Sequence, residues 1–165
     1  TAGFRPPRLS TASITHPLPA AASTVVDDKP LTAAVNDHLT DDCPTLVVMA
    51  DLPLLRATDI YDLVGTDADL TIAPGRGGGT NALVVREPAF RVDYHGASYL
   101  DHRAAAADCG GTVSVVDSRQ LATDIDEPSD LAEVLLHGDG PARAWLEDAG
   151  IELAVGDGRV GVRRP

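Results

Sequence analysis

Three carboxylates stand beside predicted elements, in positions where they could hold a metal ion. Asp51 directly follows a continuous aliphatic run at residues 45–50. Asp124 and Asp126 alternate just before a helix that Pro128 opens. Side chains two residues apart in an extended segment point to the same side, and paired carboxylates repel each other unless a cation neutralises them. Because Mg²⁺ binds through one or two carboxylates plus substrate phosphates and water, the pattern predicts a Mg²⁺ site. Capping of a turn by Asp51 and of the helix by Asp126 remains the alternative.

A glycine-rich segment at residues 74–81, PGRGGGTN, joins two predicted strands. Three successive glycines leave backbone N–H groups unshielded and allow positive φ angles, which is what a nest for an anion requires. The segment lacks the Gly-Lys-Ser/Thr of a P-loop, and it lacks the third glycine and the following helix of a dinucleotide fingerprint. A flexible hairpin without a ligand is the alternative. The candidate substrate-binding residues of this loop are Arg76, Gly78, Gly79, Thr80 and Asn81.

A second candidate anion site lies at the start of a predicted helix. Gly96 followed by Ser98 places backbone donors, a hydroxyl and the positive end of the helix dipole together, which favours a small carboxylate or phosphate. His95 and His102 lie nearby, but neither has a partner at the spacing of a zinc-binding helix. We therefore expect both histidines to be solvated or to cap. Neither a Gly-x-Ser-x-Gly elbow nor a Cys tied by sequence to a His is present, so the sequence does not predict covalent catalysis.

The elements that position these residues alternate between strand and helix. The predicted strands lie near residues 9–12, 45–50, 70–73, 81–85 and 113–116. The predicted helices lie near residues 30–39, 58–64, 97–108, 128–137 and 141–149. Two Val-rich segments around the Gly156-Asp157-Gly158 turn predict a C-terminal β-hairpin. The alternation predicts a three-layer α/β sandwich with a mainly parallel sheet, in which ligands gather beyond the carboxyl ends of the strands.

The composition narrows the class of protein. The chain has 165 residues, about the size of one domain, and a net charge of −12, so we do not expect it to bind nucleic acid. Only Lys29 is a lysine and the acids are spread along the chain, a composition typical of proteins that stay soluble in high salt. We predict neither a membrane span nor a signal peptide, and we expect a cytoplasmic protein from a halophile. The two cysteines, Cys43 and Cys109, are expected to be small buried thiols.

Four strings occur in one order, ADLPLL, APGRGGGTNAL, YHGASY and TDIDEPSDL. From about residue 28 to the C-terminus they resemble the 2-phospho-L-lactate guanylyltransferase family of coenzyme F420 biosynthesis. The resemblance implies a fold like that of nucleotide-diphospho-sugar transferases. It also implies GTP and 2-phospho-L-lactate, or phosphoenolpyruvate, as substrates, Mg²⁺ as cofactor and pyrophosphate as product. The roles it implies are Mg²⁺ ligation by Asp51, Asp124 and Asp126, and reception of the phospho-acid carboxylate by Thr80, Gly96 and Ser98.

Members of that family begin with a strand, a basic nucleotide-binding loop and a helix. We expect residues 1–165 to form a single nucleotidyltransferase domain without this first βα unit. One alternative is another Mg²⁺-dependent nucleotidyltransferase, acting on a sugar phosphate or a molybdopterin. The other is an inactive fragment that binds a phospho-acid or self-associates through the hairpin, and association into a homodimer is left open.

Overall fold

The computed structural model of the chain describes residues 8–11, 23–39 and 44–165. The strands are β1 (Arg8–Thr11), β2 (Ser23–Val26), β3 (Thr45–Val48), β4 (Leu70–Pro74), β5 (Thr80–Val85), β6 (Val113–Val115), β7 (Glu152–Ala154) and β8 (Gly161–Arg163). The helices are α1 (Leu31–Asn36), α2 (Ala57–Val64), α3 (Ser98–Asp108), α4 (Arg119–Ala122), α5 (Leu131–His137) and α6 (Pro141–Asp148), with a 3₁₀ turn (Pro128–Asp130) before α5. No helix in these ranges is both long and apolar enough to cross a membrane.

The central sheet has four strands in the order β3-β5-β4-β6. β4 pairs with β6 in parallel, while β5 is antiparallel to both β3 and β4. Three strands therefore point one way, and the sheet is mixed because β5 runs the other way between two of them. Only residues 75–79 connect β4 to β5, and a parallel crossover needs a dozen or more residues, so the chain has to reverse.

Two smaller sheets complete the described strands. β1 and β2 form a separate parallel pair, and β7 and β8 form the antiparallel hairpin predicted for the C-terminus. The short helix α4 was not predicted, because four residues carry no recognisable apolar period. Its start is fixed by Ser118, whose hydroxyl accepts a hydrogen bond from the Leu121 N–H.

Both faces of the central sheet carry an apolar core, because successive side chains of a strand point to opposite sides. On one face Leu83 and Ile72 pack with Phe90 and with Ala106 of α3. On the other face neighbouring strand residues pack with Leu63 of α2 and with α4. β4 and β5 are buried almost throughout. The continuous aliphatic run at residues 45–50 is typical of a strand covered on both faces, but β3 is only half-buried because it lies at the edge of the sheet. A third cluster joins α5, α6 and the hairpin.

Reversal of β5 brings its first residues to the sheet edge where β3, β4 and β6 end. The Met49 N–H, just after β3, donates to the carbonyl of Asn81 in β5 (2.9 Å). The segments that follow β3, β4 and β6 therefore lie beside the start of β5. We call this edge the carboxyl edge, and it carries most of the candidate residues.

Candidate functional site

The acidic segments after β3 and before α5 meet at the carboxyl edge. The Ile125 N–H donates to the backbone carbonyl of Asp51 (3.2 Å), so Ile125 lies against Asp51 with Asp124 and Asp126 on either side of it in the chain. Asp51 and Asp126 are exposed and Asp124 is half-buried. The main-chain segments that carry Asp51 and the Asp124–Asp126 pair are thus in contact.

Asp130, rather than Asp126, caps the turn that leads into α5. Its Oδ2 accepts hydrogen bonds from the N–H groups of Asp126 (3.1 Å) and Glu127 (2.8 Å). Within residues 8–11, 23–39 and 44–165, the carboxylates of Asp51 and Asp126 accept no hydrogen bond and pair with no cation, and the same holds for Asp124. Capping therefore does not account for the three acids that the sequence singles out.

The donor set suits a hard divalent cation, since all three groups are carboxylates with no other role in the described structure. Among those described residues, no three His, Cys, Asp or Glu side chains are grouped closely enough to hold a metal ion. Mg²⁺ needs only one or two protein carboxylates when substrate phosphates supply the remaining ligands. Ligation by Asp51, Asp124 and Asp126 stays a prediction.

The glycine-rich loop is the hairpin turn between β4 and β5. The Gly75 N–H donates to the Gly79 carbonyl (2.9 Å), and the Gly78 N–H donates to the Gly75 carbonyl (3.1 Å). Gly78 has φ of +90°, a conformation that a side chain would strain. In the described part of the chain the N–H groups of Gly77 and Gly79 have no partner, so an anion nest would use these two donors. Gly78 allows the turn to form through its positive φ, whereas its N–H is already bonded to the Gly75 carbonyl.

Arg76 and Asn81 already have partners within the protein. The Arg76 guanidinium is half-exposed and pairs with Glu133 of α5 (3.0 Å). Asn81 is 3% exposed, and its Nδ2 donates to the carbonyl of Leu121 in α4 (2.9 Å). The amide of Asn81 also fills the space over Gly75, where an added Cβ would lie 2.7 Å from Oδ1. In this structure Asn81 ties β5 to α4.

Helix α3 lies against the loop through its first turn. The Tyr99 N–H donates to the Gly78 carbonyl (3.2 Å), and Gly96, with φ of +47°, precedes the helix. Ser98 is the first helical residue and is 4% exposed, and its hydroxyl has no partner among the residues described. The helix observed therefore agrees with the predicted one and presents Ser98 beside the glycine-rich loop.

His102 is fully buried, so the expectation that it is solvated or capping is wrong. Its Nδ1 lies 2.9 Å from Thr80 Oγ1, and its Nε2 accepts a hydrogen bond from the Asp93 N–H (3.0 Å). A signal was available in the sequence, because Ser98, His102 and Ala106 recur every four residues and are the buried residues of α3. The spacing of His102 from other metal-binding residues does not reveal this burial, whereas its spacing from Ser98 and Ala106 does.

Burial lowers the pKa of His102 to about 4, while the nearby carboxylates of Asp101 and Asp93 act in the opposite direction. The imidazole is therefore neutral at neutral pH. His95, by contrast, is exposed as predicted, and its hydrogen bond with the Asp93 carboxylate (3.0 Å) raises its pKa. The two histidines differ because one faces the core and the other faces water.

A family model described as guanylyl transferase CofC like matches residues 18–164, which is most of the chain. The chain belongs to this family. The CofC-like model thus covers the acidic segments, the glycine-rich loop and α3 together.

Similar proteins support the same placement. A protein of Halomicrobium mukohataei is 53% identical over 166 residues, covering 100% of this chain and 80% of that protein. One of Haloarcula marismortui is 56% identical over 169 residues, covering 99% of this chain and 79% of its own length. One of Methanoculleus marisnigri is 48% identical over 147 residues, covering 87% and 68%. All three bear the name 2-phospho-L-lactate guanylyltransferase. The first two come from halophilic archaea, in keeping with the acidic composition.

Replacing Gly75 tests the contact between the loop and Asn81. We expect Gly75→Ala to lower the free energy of unfolding by about 1–3 kcal/mol, because the new Cβ displaces the Asn81 amide from Leu121. Gly77→Ala is the matched control, since a Cβ there meets nothing within 4 Å. Urea denaturation at one fixed KCl concentration measures both, and equal effects of the two variants would contradict the contact.

Protonation of His102 makes stability depend on pH. The unfolded chain binds this proton near its ordinary pKa of 6.5 and the folded chain only near 4, so lowering the pH through this window favours unfolding. The neutral imidazole makes its full contribution to the free energy of unfolding above pH 6.5. At low pH the loss of this contribution reaches about 3 kcal/mol. Asp93 and Asp101 moderate the loss, and Tyr94 does not titrate in this range.

Urea denaturation between pH 7 and 4 measures this effect. We expect the free energy of unfolding to decline more steeply with falling pH for wild type than for His102→Asn. Parallel curves would contradict the assignment.

Proposed function

We propose that the chain joins 2-phospho-L-lactate, or phosphoenolpyruvate, to the GMP moiety of GTP and releases pyrophosphate, as a step of coenzyme F420 biosynthesis. The observation that carries this proposal is sequence identity. Two relatives that bear the transferase name are 53% and 56% identical to this chain over 100% and 99% of its length. The proposed fold is a three-layer α/β/α sandwich of the nucleotide-diphospho-sugar transferase kind. Helices packed on both faces of the central sheet support it.

In this reaction a phosphate oxygen of the phospho-acid attacks the α-phosphorus of GTP. One P–O bond forms to the phospho-acid, and the bond from the α-phosphorus to the bridging oxygen of pyrophosphate breaks. The nucleophile is already an anion, so no side chain has to remove a proton. The barrier lies in bringing two polyanions together and in stabilising the charge on the leaving group.

The carboxylate of the phospho-acid would bind between the start of β5 and the start of α3. Thr80 offers a hydroxyl there, Ser98 offers a second, and Gly96 opens the helix whose positive dipole end favours an anion. These donors are neutral, so they recognise a carboxylate without adding cations to an acidic protein. The contact between Tyr99 and Gly78 keeps the two elements together.

Asp51, Asp124 and Asp126 would hold Mg²⁺ in this proposal. The ion would supply positive charge between the phosphates of the two substrates and polarise them. Support comes from the backbone contact between Asp51 and Ile125, and from the lack of other partners for these carboxylates in the described residues. Arg76, despite its pair with Glu133, keeps further N–H donors for a phosphate.

Other expectations stay predictions. They are the single domain over residues 1–165, a cytoplasmic location and association into a homodimer.

The reaction can be tested by measuring pyrophosphate release at fixed KCl and Mg²⁺. We expect the fastest release with GTP among the four ribonucleoside triphosphates, and only when 2-phospho-L-lactate or phosphoenolpyruvate is present. Preference for a sugar phosphate would point to another nucleotidyltransferase. Absence of release with every pair of substrates would support an inactive fragment.

The acids can be tested by removing their charge. We expect Asp51→Asn and Asp124→Asn each to lower kcat/KM by about 100-fold or more, because each loses a ligand that stabilises the charged transition state. The melting temperature should stay within about 2 °C of wild type, since neither carboxylate bonds to the described protein. Asp130→Ala is the contrasting variant, because it removes the oxygen that accepts two backbone N–H bonds, and we expect it to lower the melting temperature. Large destabilisation by Asp51→Asn with activity retained would contradict the metal role.

A further inference from the structure

Thr80 depends on a buried neighbour for the direction of its hydroxyl. We propose that His102 is a positioning residue for the phospho-acid, a neutral imidazole that makes the Thr80 hydroxyl a hydrogen-bond donor to the substrate carboxylate. This inference rests on the proposed function and adds to it a residue that never touches the substrate.

The hydrogen-bond partners of His102 determine its tautomer. The backbone N–H of Asp93 can only donate, so the Nε2 that faces it carries no proton. A neutral imidazole carries one proton, which must then sit on Nδ1 and be donated to Thr80 Oγ1. A proton on Nε2 would place two hydrogen-bond donors, the Nε2–H and the Asp93 N–H, opposite each other in the core.

Neighbouring side chains hold the ring in this orientation. Phe90 and Tyr94 both lie edge-on to the imidazole, at centroid distances of 6.0 and 4.9 Å. A half-turn of the ring would replace both nitrogens by carbons and leave the Asp93 N–H and the Thr80 hydroxyl without their bonds. The aromatic contacts therefore hold the plane of the ring, and the two hydrogen bonds select between its two half-turn orientations.

The hydroxyl of Thr80 has one proton to donate and accepts the proton of His102 on its oxygen. No other hydrogen bond involves this hydroxyl in the described residues, so its own proton is left for a ligand. Thr80 is the first residue of β5, at the carboxyl edge, and is 3% exposed. A carboxylate, which only accepts hydrogen bonds, matches that donor.

The geometry also explains why a histidine suits this position. His102 lies one turn after Ser98 on the buried face of α3, so the same helix supplies one donor directly and directs the other through its imidazole. Asp93 and Asp101 are the charged groups near the ring, and the Asp93 carboxylate is turned to His95. The imidazole is thus left to act as a neutral donor.

Two variants separate positioning from packing. His102→Leu keeps an apolar side chain in the core but removes both hydrogen bonds. His102→Asn keeps an N–H donor near the position of Nδ1. We expect His102→Leu to raise the KM for 2-phospho-L-lactate about 10-fold or more and to change the KM for GTP less than about 2-fold. We expect His102→Asn to recover most of that loss.

A double-mutant cycle tests whether His102 acts through Thr80. Thr80→Val removes the hydroxyl, and we expect the double variant Thr80→Val with His102→Leu to be no worse than Thr80→Val alone. Additive losses, or an equal rise of both KM values, would overturn the proposal in favour of a general packing role. Circular dichroism establishes whether each variant is folded. If the His102→Leu variant does not fold, the His102→Asn variant keeps the test decisive.

Binding measurements keep this inference distinct from the proposed reaction. Calorimetry would compare 2-phospho-L-lactate with isopropyl phosphate, in which a methyl group replaces the carboxylate. We expect His102→Leu to weaken binding of the first about 10-fold and of the second less than about 2-fold. This difference can be found even if no pyrophosphate is released, in which case the reaction fails and the positioning role stands. Equal weakening of both ligands, or no binding of 2-phospho-L-lactate to the wild type, would overturn it.

Discussion

The shortness of the connection between β4 and β5 is the constraint on which the site depends. Five residues cannot carry the chain back for a parallel strand, so β5 enters the sheet in reverse between β3 and β4. Its first residues then lie at the edge where the neighbouring strands end. Thr80 and Asn81 thereby meet the acidic segment that follows β3 and the helix that begins with Ser98. A site assembled from segments far apart in sequence follows from one tight reversal.

The charge of the chain favours recognition by neutral donors. The chain has a net charge of −12, and Arg76, the cation of the glycine-rich loop, already pairs with Glu133. Hydroxyls, backbone N–H groups and a helix N-terminus bind anions without raising the positive charge of the protein. The surface can then stay acidic and hydrated, while the carboxyl edge keeps the polar groups that small anionic substrates need.

Features set by local pattern were predictable from the sequence. The buried runs of β4 and β5, the extent of α3 and the C-terminal hairpin all follow from apolar residues and turn glycines close together in the chain. Features set by distant partners were not. Asn81 bonds to Leu121 and Arg76 pairs with Glu133, and no spacing in the sequence links those positions. The reversal of β5 could have been inferred by counting its connecting residues. His102 falls between these cases. Its burial could be predicted from the four-residue periodicity of α3, but its bond to Thr80 could not.

The bond between Tyr99 and Gly78 has a further consequence for how such a protein can diversify. It fixes strand, turn and helix relative to one another through main-chain atoms, which persist whatever side chains the turn carries. Gly77, with open space where a side chain would begin, is then a position where evolution can add a group without disturbing the framework. The surface of the turn can therefore change at this position while the main-chain scaffold around it stays the same.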